Sequence, residues 1–265
     1  MSRIIAVTNQ KGGVGKTTTV INLAASLALA DQRVLLVDLD PQGNLTSGIG
    51  LRGQCAAAGT IYDALTGDGP ADPTSFIIPT AVDNLTAIPA DSGLTGAEIE
   101  LVGMPEREHR LRRFLAPLRD QYDRVFIDCP PSLGLLTLNA LVASDSVLIP
   151  LHCEYFALEG LAALVSTLRR VRASLNPSLD IEGVLLTMYD ERTNLGQQVA
   201  RDVREFFKEK VYTTVIPRNV RLGEAPSHGK PVILYDAKSR GAEAYLSLAK
   251  EMIARDHEAV GARSS

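Results

Sequence analysis

The run Lys11-Gly12-Gly13-Val14-Gly15-Lys16-Thr17-Thr18 lies between an apolar stretch, Ile4-Ile5-Ala6-Val7, and a helix-like segment from Val20 to Ala30. Strand, glycine-rich turn and helix in that order form a phosphate-binding loop. The glycines let the backbone curl until several N–H groups, here those of residues 12 to 18, point at one anion. The following helix adds its positive N-terminal end. In such a loop Lys16 reaches the terminal phosphates as a point charge, and the Thr17 hydroxyl ligates Mg²⁺. One position departs from the common pattern. Gln10 stands where a glycine is expected five residues before Gly15, and Lys11 is a second lysine that neither the turn nor the helix needs.

The rest of the chain alternates short β-rich runs with longer helical patterns. That alternation predicts an α/β fold, a doubly wound, mostly parallel twisted sheet with helices on both faces, of the P-loop NTPase type. Expected strands are Ile4–Thr8, Arg33–Asp38, Leu85–Pro89, Arg124–Asp128, Ser146–Leu151, Ile181–Met188 and Tyr212–Ile216, several apolar throughout as in strands buried on both faces. Expected helices are Lys16–Ala30, Glu106–Arg119, Leu133–Val142, Leu158–Ser174, Leu195–Glu209 and Ala242–Arg255. Residues 52–80, with the cluster Gly67-Asp68-Gly69-Pro70, read as short surface helices and loops. Residues 1–255 are expected to form a single domain, and 256–265 a small polar tail that frays.

Composition narrows the function. A net charge of -4 means that any nucleic-acid contact needs a local basic patch. The cysteines Cys55, Cys129 and Cys153 have neither disulfide-framework nor zinc spacing, which fits a reducing compartment. Cys129 reads as a small buried apolar residue. No apolar run is long enough to span a membrane, and no cleavable signal pattern opens the chain.

Two further segments carry chemistry. Val34-Leu35-Leu36-Val37-Asp38-Leu39-Asp40 is an apolar strand ending in two carboxylates spaced by two, which leave the sheet on the same side. At the carboxyl end of a strand they face the ligand of a doubly wound sheet. Asp38 is then expected near the metal, and Asp40 further out, orienting a water for in-line attack on the γ-phosphate. Arg124-Val125-Phe126-Ile127-Asp128 ends in another strand-terminal acid, expected to hold Mg²⁺ through water, and Pro130-Pro131 stiffens the turn beyond it.

Together these segments resemble the deviant Walker-A ATPases of the ParA/MinD class. Thr187-Met188-Tyr189-Asp190-Glu191-Arg192-Thr193-Asn194-Leu195 and Ile216-Pro217-Arg218-Asn219-Val220-Arg221-Leu222-Gly223-Glu224-Ala225-Pro226-Ser227-His228-Gly229 are similar to the chromosomal ParA (Soj) branch. The resemblance runs from about residue 3 to 255. It implies that Lys11 reaches across an ATP-dependent homodimer to the partner's nucleotide, so that two ATPs are sandwiched. It implies that Asp40 positions the hydrolytic water, and that Pro217 and Asn219 line the adenine. The cofactors are ATP, becoming ADP, and Mg²⁺. A centromere-binding ParB-type protein is the implied stimulating partner, in a cytoplasmic, nucleoid-associated setting.

Residues 211–240 carry Arg218, Arg221, Lys230, Lys238 and Arg240 against Glu224 and Asp236, a local +3 within a chain of net -4. The resemblance places contacts to non-specific double-stranded DNA here, and Arg192 is expected to join the same face. The competing readings are a MinD-like positioning scaffold without direct DNA binding and a metabolic or electron-transfer relative. A membrane anchor would need a basic amphipathic C-terminal helix with bulky apolar residues. The end, Met252-Ile253-Ala254-Arg255-Asp256-His257-Glu258-Ala259-Val260-Gly261, is small and mixed in charge, so no membrane attachment is expected.

Overall fold

The apolar runs become seven strands: β1 (Arg3–Val7), β2 (Val34–Asp38), β3 (Ile78–Pro79), β4 (Leu85–Ile88), β5 (Arg124–Asp128), β6 (Ser146–His152) and β7 (Asp180–Thr187). The computed structural model describes residues 2–67, 72–154 and 157–264, with 259–264 as backbone alone. The strands form one sheet in the order β3-β4-β2-β5-β1-β6-β7, parallel throughout except where β3 meets β4. Successive side chains leave a strand on opposite faces. Ile4 and Ala6 of β1 therefore join one core with Leu35, Val37, Val125 and Ile127, while Ile5 and Val7 join another with Val34, Leu36 and Phe126.

Helices Lys16–Ala28 and Arg240–Ser264 cover the second core. Helices Leu94–Val102, Leu135–Ala143, Ala157–Ser174 and Asn194–Phe207 cover the first. The result is the doubly wound sheet expected from the alternating pattern. Helix Lys16–Ala28 buries 11 of its 13 residues, so the loop at its start is anchored to the middle of the molecule. Leu23 on it is fully buried, and truncation to Ala would cost about 2–5 kcal/mol.

Several expectations change. Tyr212–Ile216 is not a strand. Tyr212 and Ile216 donate their N–H groups to the β7 carbonyls of Val184 and Leu186, at 2.9 Å each. Between them Thr213 and Thr214 donate to the Glu251 carboxylate instead, at 2.8 Å each, which interrupts the ladder. The helix expected over Glu106–Arg119 spans only Arg110–Leu115 and continues as a tighter 3₁₀ turn, Ala116–Gln121, because Pro117 supplies no N–H. Helix Leu94–Val102 and the short β3 were not anticipated. Residues 52–80 contain helix Ile61–Thr66 and a 3₁₀ turn at Pro73–Phe76; within the glycine cluster, Asp68, Gly69 and Pro70 lie outside the described residues. Asp256 accepts from Arg3 at 2.7 Å and pairs with the buried Arg124, and the last helix runs on to Ser264.

Candidate nucleotide site and basic face

The loop after β1 is fixed from both ends. Asn9 donates through Nδ2 to the Pro150 carbonyl at 2.8 Å and accepts from the Lys11 N–H at 3.1 Å. Gly13 and Gly15 hold φ of 71° and 83°, a region that residues with a side chain rarely enter. A Cβ placed on Gly12 or Gly13 would meet nothing within 4 Å, so the loop encloses open space rather than protein. Gly15 caps helix Lys16–Ala28 without any side-chain bond to the first-turn N–H groups. The free donors and the helix dipole therefore face the same opening. Lys16 is only 7% exposed, and its Nζ lies 3.4 Å from the Lys11 carbonyl. Burial lowers its pKa, against the opposing pull of the Asp128 and Asp40 charges.

Those acids come from strand ends that register pairs directly: Asp38 of β2 lies opposite Asp128 of β5, and Val7 of β1 lies on the other side of Asp128. Asp128 is fully buried, and its carboxylate oxygens make no hydrogen bond of regular geometry; the Thr17 hydroxyl is close enough to pull its pKa down in part. Burial first, and then the neighbouring Asp38 charge, raises its pKa well above the usual carboxylate range. An unpaired buried carboxylate beside a phosphate loop is a position that a bound cation would satisfy. With the Thr17 hydroxyl above it, the donor set is all oxygen and suits Mg²⁺.

Asp38 lies beside Asp128 and is held by its own turn. Its Oδ2 accepts from the Thr46 N–H at 2.8 Å and the Thr46 hydroxyl at 2.6 Å, and its Oδ1 accepts from the Asp40 N–H at 3.2 Å. Burial raises its pKa to about 6. The carboxylate is thus engaged in holding the 40–46 turn. Asp40 is 7% exposed, and its Oδ1 accepts from the Gln42 N–H at 3.0 Å. It lines the same cleft as Gly12, Lys16, Thr17 and Pro131.

A second cleft of about 310 Å³ opens beside Gly13, Gly15 and Thr18. Pro217 and Asn219 line it, together with Thr187, Met188, Leu222 and Tyr245. Thr187 donates to the Val14 carbonyl at 2.8 Å, and Tyr189 accepts no slack either, since its N–H binds the Ile216 carbonyl at 3.0 Å. The two cleft walls are thereby tied to the phosphate loop. Met188 sits at φ 48°, a strained conformation of the kind that clusters at binding sites. Asn219 uses Oδ1 to cap helix Val220–Glu224, accepting from the Arg221 N–H at 3.0 Å.

Lys11 lies on the rim. Its Nζ pairs with Glu154 of the same chain, whose other oxygen lies 2.9 Å from His152 Nδ1. Arg192 is 85% exposed and bound by both Asp190 oxygens, at 2.9 and 2.7 Å. Asp190 is held down to about 2, chiefly by the Arg192 bonds and in smallest part by the Arg218 charge, so Arg192 and Arg218 share one side of the molecule. Arg221 binds Glu224 at 2.7 Å and Asp236 at 3.2 Å, which joins its helix to the turn leading to Lys238 and Arg240. Glu154, Thr46 and Tyr245 carried no signal in the sequence, because each meets the site only through the fold; Thr187 and Met188 stand in a segment that carries the family resemblance, but the sequence assigns them no role at the site. Cys129 is fully buried, with its thiol pushed far up by burial, and Cys153 is buried too.

A family model described as an AAA domain matches residues 2–181. The chain is 61% identical over 254 residues to the sporulation initiation inhibitor protein Soj of Bacillus subtilis, covering 96% of this chain and 99% of that protein. It is 58% identical over 256 residues to the chromosome partitioning protein ParA of Myxococcus xanthus, covering 97% and 89%. Among solved structures, cobyrinic acid a,c-diamide synthase from Mycobacterium smegmatis with bound ADP and magnesium is similar at 40% identity and a TM-score of 0.79, covering 94% of this chain and 93% of that one.

Proposed function

Because the chain belongs to the Soj/ParA chromosome-partitioning ATPases, we propose that it is a switch in which two copies close around two ATP molecules. The closed pair binds double-stranded DNA without sequence preference, and hydrolysis to ADP reopens it. The observation that carries this reading is the convergence of Lys16, Thr17 and Asp40 on one opening at the strand ends, with the buried Asp128 close enough behind it for its charge to act on Lys16. Lys16 and the loop N–H groups hold the β- and γ-phosphates. Asp40 orients and accepts a proton from the attacking water. Thr17 and Asp128 would hold Mg²⁺, which when bound offsets negative charge on the phosphates. Lys11, released from Glu154, adds a cation to the partner's nucleotide, so closure depends on ATP. The bistable element is the monomer–dimer equilibrium, biased by contacts to the γ-phosphate.

Arg192, Arg218, Arg221, Lys238 and Arg240 form the DNA face, and a ParB-type protein stimulates hydrolysis on the nucleoid. The 61% and 58% identities to partition proteins outweigh the 40% identity to a synthase. No described helix is long and apolar enough to cross a membrane. The deciding experiment measures DNA binding with ATP, ADP and no nucleotide across a salt series, beside liposomes. ATP-dependent binding that weakens steeply with salt is expected. Liposome binding alone would move the protein to a membrane-positioning class.

A further inference from the structure

Segment 211–240 has two acidic residues, and both reach the same one of its five basic residues. Glu224 Oε2 lies 2.7 Å from Arg221 Nη1, and Asp236 Oδ2 lies 3.2 Å from Arg221 Nε. Among the described residues, Arg218, Lys230, Lys238 and Arg240 enter no ion pair. The two carboxylates are held in place from outside the pair as well. Tyr235 donates its hydroxyl to the same Glu224 oxygen at 3.3 Å, and the Tyr235 ring stacks on His228 at 4.9 Å. The Asp236 backbone is fixed through its N–H to the Val232 carbonyl at 2.7 Å and through its own carbonyl, which accepts from Ser239.

One guanidinium between two carboxylates leaves a local charge of about -1. A DNA phosphate arriving at Arg221 thus meets net repulsion, whereas at the four unpaired cations it meets attraction. We propose that Glu224 and Asp236 act as internal competitors for phosphate at Arg221 and set the DNA affinity of this face, with the first contacts made by Arg218, Lys230, Lys238 and Arg240. This rests on the DNA-binding reading above. Arg221 binds phosphate only after exchanging its carboxylates, an exchange of one ion pair for another in exposed surroundings where each is weak. The competition therefore adjusts affinity without abolishing it, and a face adjusted in this way lets go of DNA readily when the second copy leaves.

The competing account is that the carboxylates merely align Arg221 for DNA, and the two accounts predict opposite signs. The test uses the full chain with ATP and a random-sequence duplex, and compares the unmodified protein with Glu224→Gln, Asp236→Asn and the double variant across a salt series. Thermal unfolding of each variant reports that it is folded. The double variant is expected to bind about five- to tenfold more tightly, with the salt dependence steepened by about one phosphate contact. Arg221→Ala added to the double variant is expected to erase that gain, which locates the effect at Arg221. Binding that is unchanged or weaker in both single variants and in the double variant overturns the inference while leaving the DNA-binding reading intact. Absence of ATP-dependent DNA binding by the unmodified protein at every salt concentration overturns that reading and this inference with it.

Discussion

The nucleotide cleft and its cationic rim are built on opposite principles. In the cleft, charge is buried at a cost: Asp128 is at 0% exposure with no hydrogen bond of regular geometry, and the Lys16 pKa is lowered by burial. On the rim and the basic face, charge is exposed, and three of the cations are already paired: Lys11 by Glu154, Arg192 by Asp190, Arg221 by Glu224 and Asp236. A bare buried group waits for a ligand and binds it in a prepared geometry. A satisfied surface group must be released by a competitor before it can act. On the proposed reading, Lys16, Thr17, Asp40 and Asp128 are assembled within one copy, whereas Lys11, Arg192 and Arg221 act only when a second copy or DNA displaces an internal partner.

The cleft side of that contrast predicts the largest effects. Lys16→Ala removes one member of a buried charge cluster, a change that costs about 3–5 kcal/mol, so ATP affinity should fall about 10²- to 10³-fold by calorimetric titration. Undiminished affinity would mean that the loop does not hold the phosphates. Asp40→Ala should leave ATP affinity within a few-fold and slow single-turnover hydrolysis by about 10²- to 10⁴-fold, trapping the closed pair. A normal rate in that variant would reassign the water-positioning role.

The same contrast explains what the sequence made legible. Lys16, Thr17 and the strand-end acids could be read because a buried phosphate site needs fixed residue types at fixed distances along one strand–loop–helix unit. The actual work of Asp38 was hidden. Its partner Thr46 lies eight residues on, in a turn with no pattern of its own, and only the fold shows that the carboxylate is engaged. The 212–216 run has strand composition, but Glu251 on the last helix captures its middle N–H groups, a long-range event that no local window contains. Surface ion pairs leave still less trace. Nothing near Lys11 in the chain points to Glu154, which reaches it from the end of β6 across the sheet.

A smaller effect tests whether burial of the cleft acids costs stability when no ligand is bound. Asp38 and Asp128 both have folded pKa values raised above their unfolded ones, so the folded state holds their protons more tightly. The contribution of these two acids to the stability of the nucleotide-free protein should then be fully present below about pH 4 and be lost as pH rises, through about pH 6 for Asp38 and through its own raised pKa for Asp128. Asp128→Asn removes a buried charge, and should raise the Tm of the nucleotide-free protein at pH 7.5 by about 2–4 °C while flattening the high-pH part of the profile. It should also remove the stabilisation by Mg²⁺ with ADP. A lower Tm in this variant, with the pH profile unaltered, would show that Asp128 is satisfied in the free protein after all.

The smallest effect belongs to the rim. Lys11 and Glu154 are 38% and 47% exposed, and an ion pair at such exposure is worth about 0–1 kcal/mol. Releasing Lys11 with Glu154→Gln should therefore lower the ATP concentration needed for dimerisation by at most about fivefold, read by light scattering. Lys11→Ala should remove ATP-dependent dimerisation while leaving nucleotide binding by the single copy largely intact. The sign in Glu154→Gln carries the argument. Easier dimerisation means that Glu154 holds Lys11 back in the open state, and the rim is restrained by its own pairs. Harder dimerisation means that Glu154 belongs to the closed contact itself, and the rim, like the cleft, is then a prepared site that one copy presents to the other.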